Sequence, residues 1–232
     1  KDRVLIADQR RSMMNSVGCT VNISTYWLQY INILQEAKIN STTVLDELKK
    51  ALDIGLENSA PLIEKLKELD PSLVDYYQER QEKLKPIIER RKAMLFDQEN
   101  NKRPIKDNRS ISQSRDVVNS ISPKDEERFL RWREFLNREL ENDAEYSEEL
   151  FVQVMDYNYR FSLGALWWMP SIWMEYWSFL IQHNCSEKAG RILNIAKKAV
   201  GDTPLFELRR AQYFIELKKY EDAKAIYVKL VN

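Results

Sequence analysis

The chain has a single histidine, His183, among 232 residues. That scarcity removes most mechanisms in which a histidine moves a proton or activates a nucleophile. His183 stands in Gln182-His183-Asn184, at an expected helix end, where an imidazole simply suits the helix C-terminus. Five scattered glycines cannot build a loop that cradles a nucleotide's phosphates. The two cysteines, Cys19 and Cys185, lie far apart in sequence and match no metal-ligand spacing, so they read as separate thiols of a reducing compartment. Metal binding would fall on carboxylates alone. Adjacent pairs such as Glu126-Glu127 and Glu148-Glu149 point about 100° apart on a helix, as solvated surface does. No catalytic residue, metal ligand or cofactor is predicted, and an enzyme is not expected.

Charge of one sign is lacking too: 36 Lys and Arg face 36 Asp and Glu. Nucleic-acid binders usually carry a basic surplus, because affinity comes largely from counterion release by cations. Direct RNA contact is therefore expected to be weak or indirect. No apolar run approaches the ~20 residues of a membrane span; the nearest, Leu163 to Leu180, holds Pro170 and Glu175. The start, Lys1-Asp2-Arg3, is no signal peptide, and without an initiator Met the chain reads as a piece of a longer protein. The regular turn signals of an all-β fold are missing as well.

What is present is helix. Only seven prolines and five glycines interrupt runs rich in Leu, Glu, Lys, Arg, Ala and Ile. Residues 4–17 predict a helix with Val4, Leu5, Met13, Met14 and Val17 inward. Helices follow over about 23–37 and 44–56, the second after a polar turn at 38–43, and Pro61 opens another over 61–69. Asp70-Pro71 restarts the chain as N-cap and first helical residue, and Pro86 predicts a kink or break near Lys85 in the helix that follows. Residues 97–122, rich in Asn, Ser, Lys, Arg and Asp, read as a polar linker or loop. They divide a stretch of helix pairs over 1–96, ending in long helices, from further pairs over 123–232. The later helices are expected over about 124–142, with Ser122 as N-cap, then 145–168, 171–183, 186–200, 204–217 and 220–231.

The aromatics repeat. Trp27 is followed by Tyr30, Trp132 by Phe135, and Trp173 by Tyr176 and Phe179, each a ring pair three residues apart on one helix face. Partner helices carry small residues instead: Ala51, Ala189 with Ala196, and Ala223 with Ala225. Large on the first helix and small on the second is how a helix pair interlocks with its neighbour in a solenoid. Pro170 stands three residues before Trp173, and Pro204 eight after Ala196, which gives a period in the high thirties, the range of two-helix repeats. The fold predicted is an all-α, TPR-like solenoid, and these residues are expected to be packing rather than binding residues.

Pro170-Ser171-Ile172-Trp173-Met174-Glu175-Tyr176 resembles the half-a-TPR (HAT) repeat of RNA-processing assemblies. In its order of elements the chain is most similar to the suppressor-of-forked family, the scaffold subunit of cleavage stimulation factor. The likeness lies in Ala51 to Leu95 with its Arg-Arg-Lys, the polar stretch, and Arg131-Trp132 through Trp173-Tyr176. Phe135-Leu136-Asn137 departs from the Trp-Glu that the family carries there, which leaves open the HAT subunits of the spliceosomal particle that recognises the 5′ splice site. The resemblance implies a right-handed HAT superhelix, a nuclear location and a non-catalytic scaffold for pre-mRNA 3′-end cleavage and polyadenylation. Its partners would be other protein subunits of that complex, with a homodimer formed through regions outside this stretch.

Two readings from other classes stay open. One is an RNA-binding solenoid using the long helix's Arg80, Lys83, Lys85, Arg90, Arg91 and Lys92, or the linker's Arg103, Lys106, Arg109 and Arg115. The other is a peptide-binding TPR adaptor outside RNA metabolism, for which Ala211 to Leu230 is generic enough.

Overall fold

The computed structural model describes residues 2–100, 123–201 and 204–231. Among the described residues are eleven α-helices, one 3-10 turn (Pro71–Leu73) and no strand. The helices are α1 (Asp2–Val17), α2 (Ser24–Glu36), α3 (Ser41–Ile54), α4 (Ala60–Leu69), α5 (Val74–Asn100), α6 (Pro123–Leu140), α7 (Glu148–Leu166), α8 (Pro170–Gln182), α9 (Ser186–Val200), α10 (Pro204–Glu216) and α11 (Tyr220–Val231). Lys1–Asn101 with Arg131–Asn158 forms one compact unit; Lys102–Leu130 with Tyr159–Asn232 forms the other. The all-α, helix-pair class predicted from the sequence is what the chain adopts.

In the first unit α1 packs on α2, α2 on α3 and α4, and α4 on α5. Trp27, Tyr30, Ile31 and Leu34 recur at the spacing that places them on one side of α2, and all are buried against Val44, Leu48, Ala51 and Leu52 of α3. Each large side chain so removed from water stabilises the fold by roughly 1.5–3 kcal/mol relative to exposure. Asn40 caps α3, its Oδ1 accepting from Thr42 N at 3.0 Å, and Gly55 ends it at φ +79°, a conformation that costs glycine little. The expected face of α1 is corrected. Val4, Leu5 and Val17 are exposed, and the buried side is Ala7 and Met14 with Met13 beside them.

The expected break at Pro86 is not made. α5 runs unbroken through that residue, which costs one backbone donor. Leu84, Ile87, Ile88, Arg91 and Met94 are buried on both sides of it, and their burial holds the helix together. α5 also passes Phe96, so Asp97 lies in the helix and not in the polar stretch. Residues 101–122, with the expected cap Ser122, lie outside the described residues. Asp70 caps the 3-10 turn, its Oδ1 accepting from Ser72 N at 3.2 Å.

In the second unit α8 packs on α9 and α10 on α11. Ile172, Trp173, Tyr176, Phe179 and Leu180 supply the large side chains, and Ala189 and Ala196 the small ones, all buried. Tyr159 of α7 stacks on Tyr176 with ring centroids 5.1 Å apart. Tyr213 of α10 donates to Ser186 O at 2.8 Å. A methyl group at Gly190 would stand 3.1 Å from the Tyr213 hydroxyl, so glycine lets α10 approach α9. Ala225, expected to be a packing residue, is exposed; Ala223 alone fills that role in α11.

The repeat shows most plainly in its turns. Lys38, Asn184 and Lys218 end α2, α8 and α10 with φ of 56°, 58° and 59°. Each turn closes with the same bond from the following residue five positions back: Ile39 N to Leu34 O, Cys185 N to Leu180 O, and Lys219 N to Phe214 O. This is the Schellman closure that satisfies orphan carbonyls at a helix end. Asn184 and Lys218 are 34 residues apart, a period shorter than the high thirties expected. Pro170 and Pro204, the first residues of α8 and α10, stand the same 34 residues apart.

Candidate functional site

A helix-pair repeat acts through what its pairs leave outside, so the placement of each singled-out residue decides what is available. Trp27, Tyr30, Ala51, Trp132, Phe135, Trp173, Tyr176, Phe179, Ala189, Ala196 and Ala223 are all buried. Pro170 and Pro204 are the first residues of α8 and α10. Trp27, Trp132 and Trp173 share one device: the indole N–H of each reaches back to the preceding element. Trp27 Nε1 donates to Gly18 O at 2.9 Å, Trp132 Nε1 to Asp97 Oδ2 at 3.2 Å, and Trp173 Nε1 to Trp167 O at 2.7 Å. A phenylalanine would fill the space and lose that tie.

The cations of α5 do not form a free basic stripe. Arg80 pairs with Asp53 at 3.1 Å, and Lys83 with Glu79 at 2.8 Å. Lys85 pairs with Glu82, and Lys92 with both Glu57 and Glu89. Every one of these charges has an anionic neighbour, so the helix offers little net potential to a polyanion. Burial pushes the Asp53 carboxyl above its usual range, and Arg80 beside it pulls the other way.

Arg91 is no surface residue at all: it is 5 % exposed. Its Nε and Nη2 donate to Glu139 Oε2 at 3.0 and 2.6 Å, and Nη1 donates to Ile54 O at 2.8 Å. Ile54 is the last residue of α3, where carbonyls lack helical partners and positive charge is favoured. Tyr146 OH accepts from Arg91 Nη2 at 3.1 Å and donates to Ile54 O at 2.8 Å. Glu139, also buried, accepts from Arg90 Nε at 3.0 Å and Asn158 Nδ2 at 3.1 Å. Burial opposes the Arg91 charge, but Tyr146 and Glu139 outweigh it and hold the guanidinium above its ordinary pKa. The node is a structural weld of α3, α5, α6 and α7 within the first unit. Arg90 is half-buried on the same carboxylate and belongs to it.

Glu139, Tyr146, Asn158, Asp97 and Glu207 were missed by sequence reasoning. Glu207 is 3 % exposed in α10 and pairs with Lys197 at 3.3 Å and Arg210 at 3.2 Å. A signal for the first existed: Glu139 stands seven, four and three residues after Trp132, Phe135 and Leu136, on their face of α6. A charge on an apolar stripe needs a buried partner. His183 is the residue after α8 and its ring lies 4.3 Å from that of Phe179. Among the described residues no group of His, Cys, Asp and Glu could hold a metal ion. No described helix is long and apolar enough to cross a membrane.

Stacked helix pairs with aromatic first helices, small-residue second helices and a shared closing turn define a protein of the TPR-like repeat class. The family model for the suppressor of forked protein matches residues 75–232, about two thirds of the chain. The chain therefore belongs to the suppressor-of-forked family, whose HAT repeats place it, at family level, among proteins of mRNA 3′-end processing. No curated protein matches the chain.

Proposed function

We propose that the chain is a non-catalytic scaffold of the nuclear complex that cleaves and polyadenylates pre-mRNA, holding other protein subunits on its HAT helix pairs. The observation that carries this is the suppressor-of-forked match over residues 75–232, on a chain whose large and small side chains alternate between paired helices. The single His183 and the paired cations of α5 support protein contacts over chemistry or strong RNA binding. The family match favours this reading over the 5′ splice-site particle and over a peptide-binding adaptor outside RNA metabolism. Dimerisation would use regions outside this stretch.

The test is depletion and add-back. A nuclear extract depleted of the full-length protein should lose cleavage at a polyadenylation-site RNA and regain it when the protein is restored. Unchanged 3′-end cleavage with lost splicing would point instead to the splice-site particle. Loss of neither would remove the chain from RNA processing.

A further inference from the structure

We infer that the first unit is a module made of two separated stretches of chain, which recognise each other without the covalent link between them. Opening the chain inside residues 101–122 should leave that module assembled. The stretch before this segment supplies Ile54 O, Arg90, Arg91 and Asp97; the stretch after it supplies Trp132, Glu139, Tyr146 and Asn158. The contact is core and not rim. Ala144, Tyr146, Leu150 and Val154 belong to the same buried cluster as Trp27, Leu48, Leu52 and Leu84.

Two features make the recognition mutual. Arg91 comes from one stretch and Glu139 from the other, and both are almost fully buried. Docking takes both charges out of water, and only the facing partner offsets that loss, so a mismatched pairing leaves a buried charge unpaired and is penalised. Arg91 also caps the C-terminus of α3, so the later stretch engages the earlier one through a group that already organises it. Charge pairing fixes the register, while Tyr146, Leu150 and Val154 supply the apolar burial. The division of the chain, which assigns 131–158 to the N-terminal unit and not to the unit that follows, has its cause here.

The test keeps every residue of the chain. It is produced as two co-expressed polypeptides, 1–110 and 111–232, with an affinity tag on the first. The expected result is stoichiometric recovery of the untagged piece, in one species with the mass and helicity of the intact chain. Separate recovery of the pieces would overturn the inference, as would recovery of the first piece alone with the cooperative unfolding of the intact unit. In the opened chain Glu139→Ala should weaken association at least tenfold, and Glu141→Ala, in an exposed pair with Arg138, should leave it within twofold. An unchanged association in Glu139→Ala would show that the buried pair does not carry the recognition. Because the variant in the uncut chain is still measurable by thermal unfolding, a folding defect is told apart from a recognition defect.

Discussion

Replacing Glu139 by alanine tests the buried node most severely. The carboxylate accepts from Arg90, Arg91 and Asn158, and among the described residues it is the one carboxylate paired with the Arg91 guanidinium, which is 5 % exposed. The variant would leave the Arg91 charge buried with Ile54 O and Tyr146 OH as its remaining partners. Breaking a buried pair from one side costs about 3–5 kcal/mol; the surviving bonds place the expected loss near the lower end, about 3 kcal/mol. For a unit of this size that is a fall of about 10 °C in unfolding temperature. Urea unfolding followed by helical circular dichroism measures it, and the midpoint should drop with the slope unchanged. Arg138→Ala, which breaks an exposed pair at 3.2 Å, is the control and should stay within about 0.5 kcal/mol. A loss below about 1 kcal/mol in Glu139→Ala would refute the account, because Arg91 would then have to be solvated or otherwise paired.

Other expectations follow from the same geometry. Burial first of all pushes the phenols of Tyr30, Tyr77, Tyr146, Tyr159 and Tyr213 above the ordinary tyrosine value of 10.0. Groups raised in the folded state stabilise it fully below their unfolded pKa and lose that contribution as pH rises past it. Helicity should therefore fall above about pH 10 together with a cooperative rise in tyrosinate absorbance; smooth titration with helices intact would contradict this. Lys218→Gly places glycine where φ is +59° and should stabilise the second unit by about 0.5–1 kcal/mol in thermal unfolding. A loss of stability there would mean that the turn is not wound as described. Lys83→Ala and Lys85→Ala remove cations already paired on α5. RNA binding measured against salt should keep its slope in both, whereas a slope lowered by about one per residue would restore the basic-stripe reading.

The repeat was legible in the residues because packing demands it locally. Rings three apart on α2, α6 and α8 can serve only one face, and the alanines of α3 and α9 mark where backbones approach. What stayed hidden depends on partners distant in sequence. Arg90-Arg91-Lys92 looks like solvated charge until Glu139, 48 residues on from Arg91, arrives beside it. Arg91 nonetheless stands on the stripe of Leu84, Ile88 and Leu95, and that spacing carried the hint. At Pro86 the helix stays unbroken because burial on both sides outweighs the missing donor. Local rules failed at α1 because the side that meets α2 and its neighbours carries Ala7, Met13 and Met14 together with Arg11, whose Nε donates to Tyr30 OH at 3.2 Å. No surface for a partner was readable, since a scaffold's binding face is set by how its repeats stack and not by any one motif.

The central claim is that this HAT protein scaffolds 3′-end processing, and what it holds in the nucleus tests that most directly. Affinity purification of the full-length protein from nuclear extract, with its companions identified by mass spectrometry, should recover the cleavage and polyadenylation subunits after nuclease treatment. Recovery of 5′ splice-site particle proteins in their place, or of chaperone-tail clients, would contradict it.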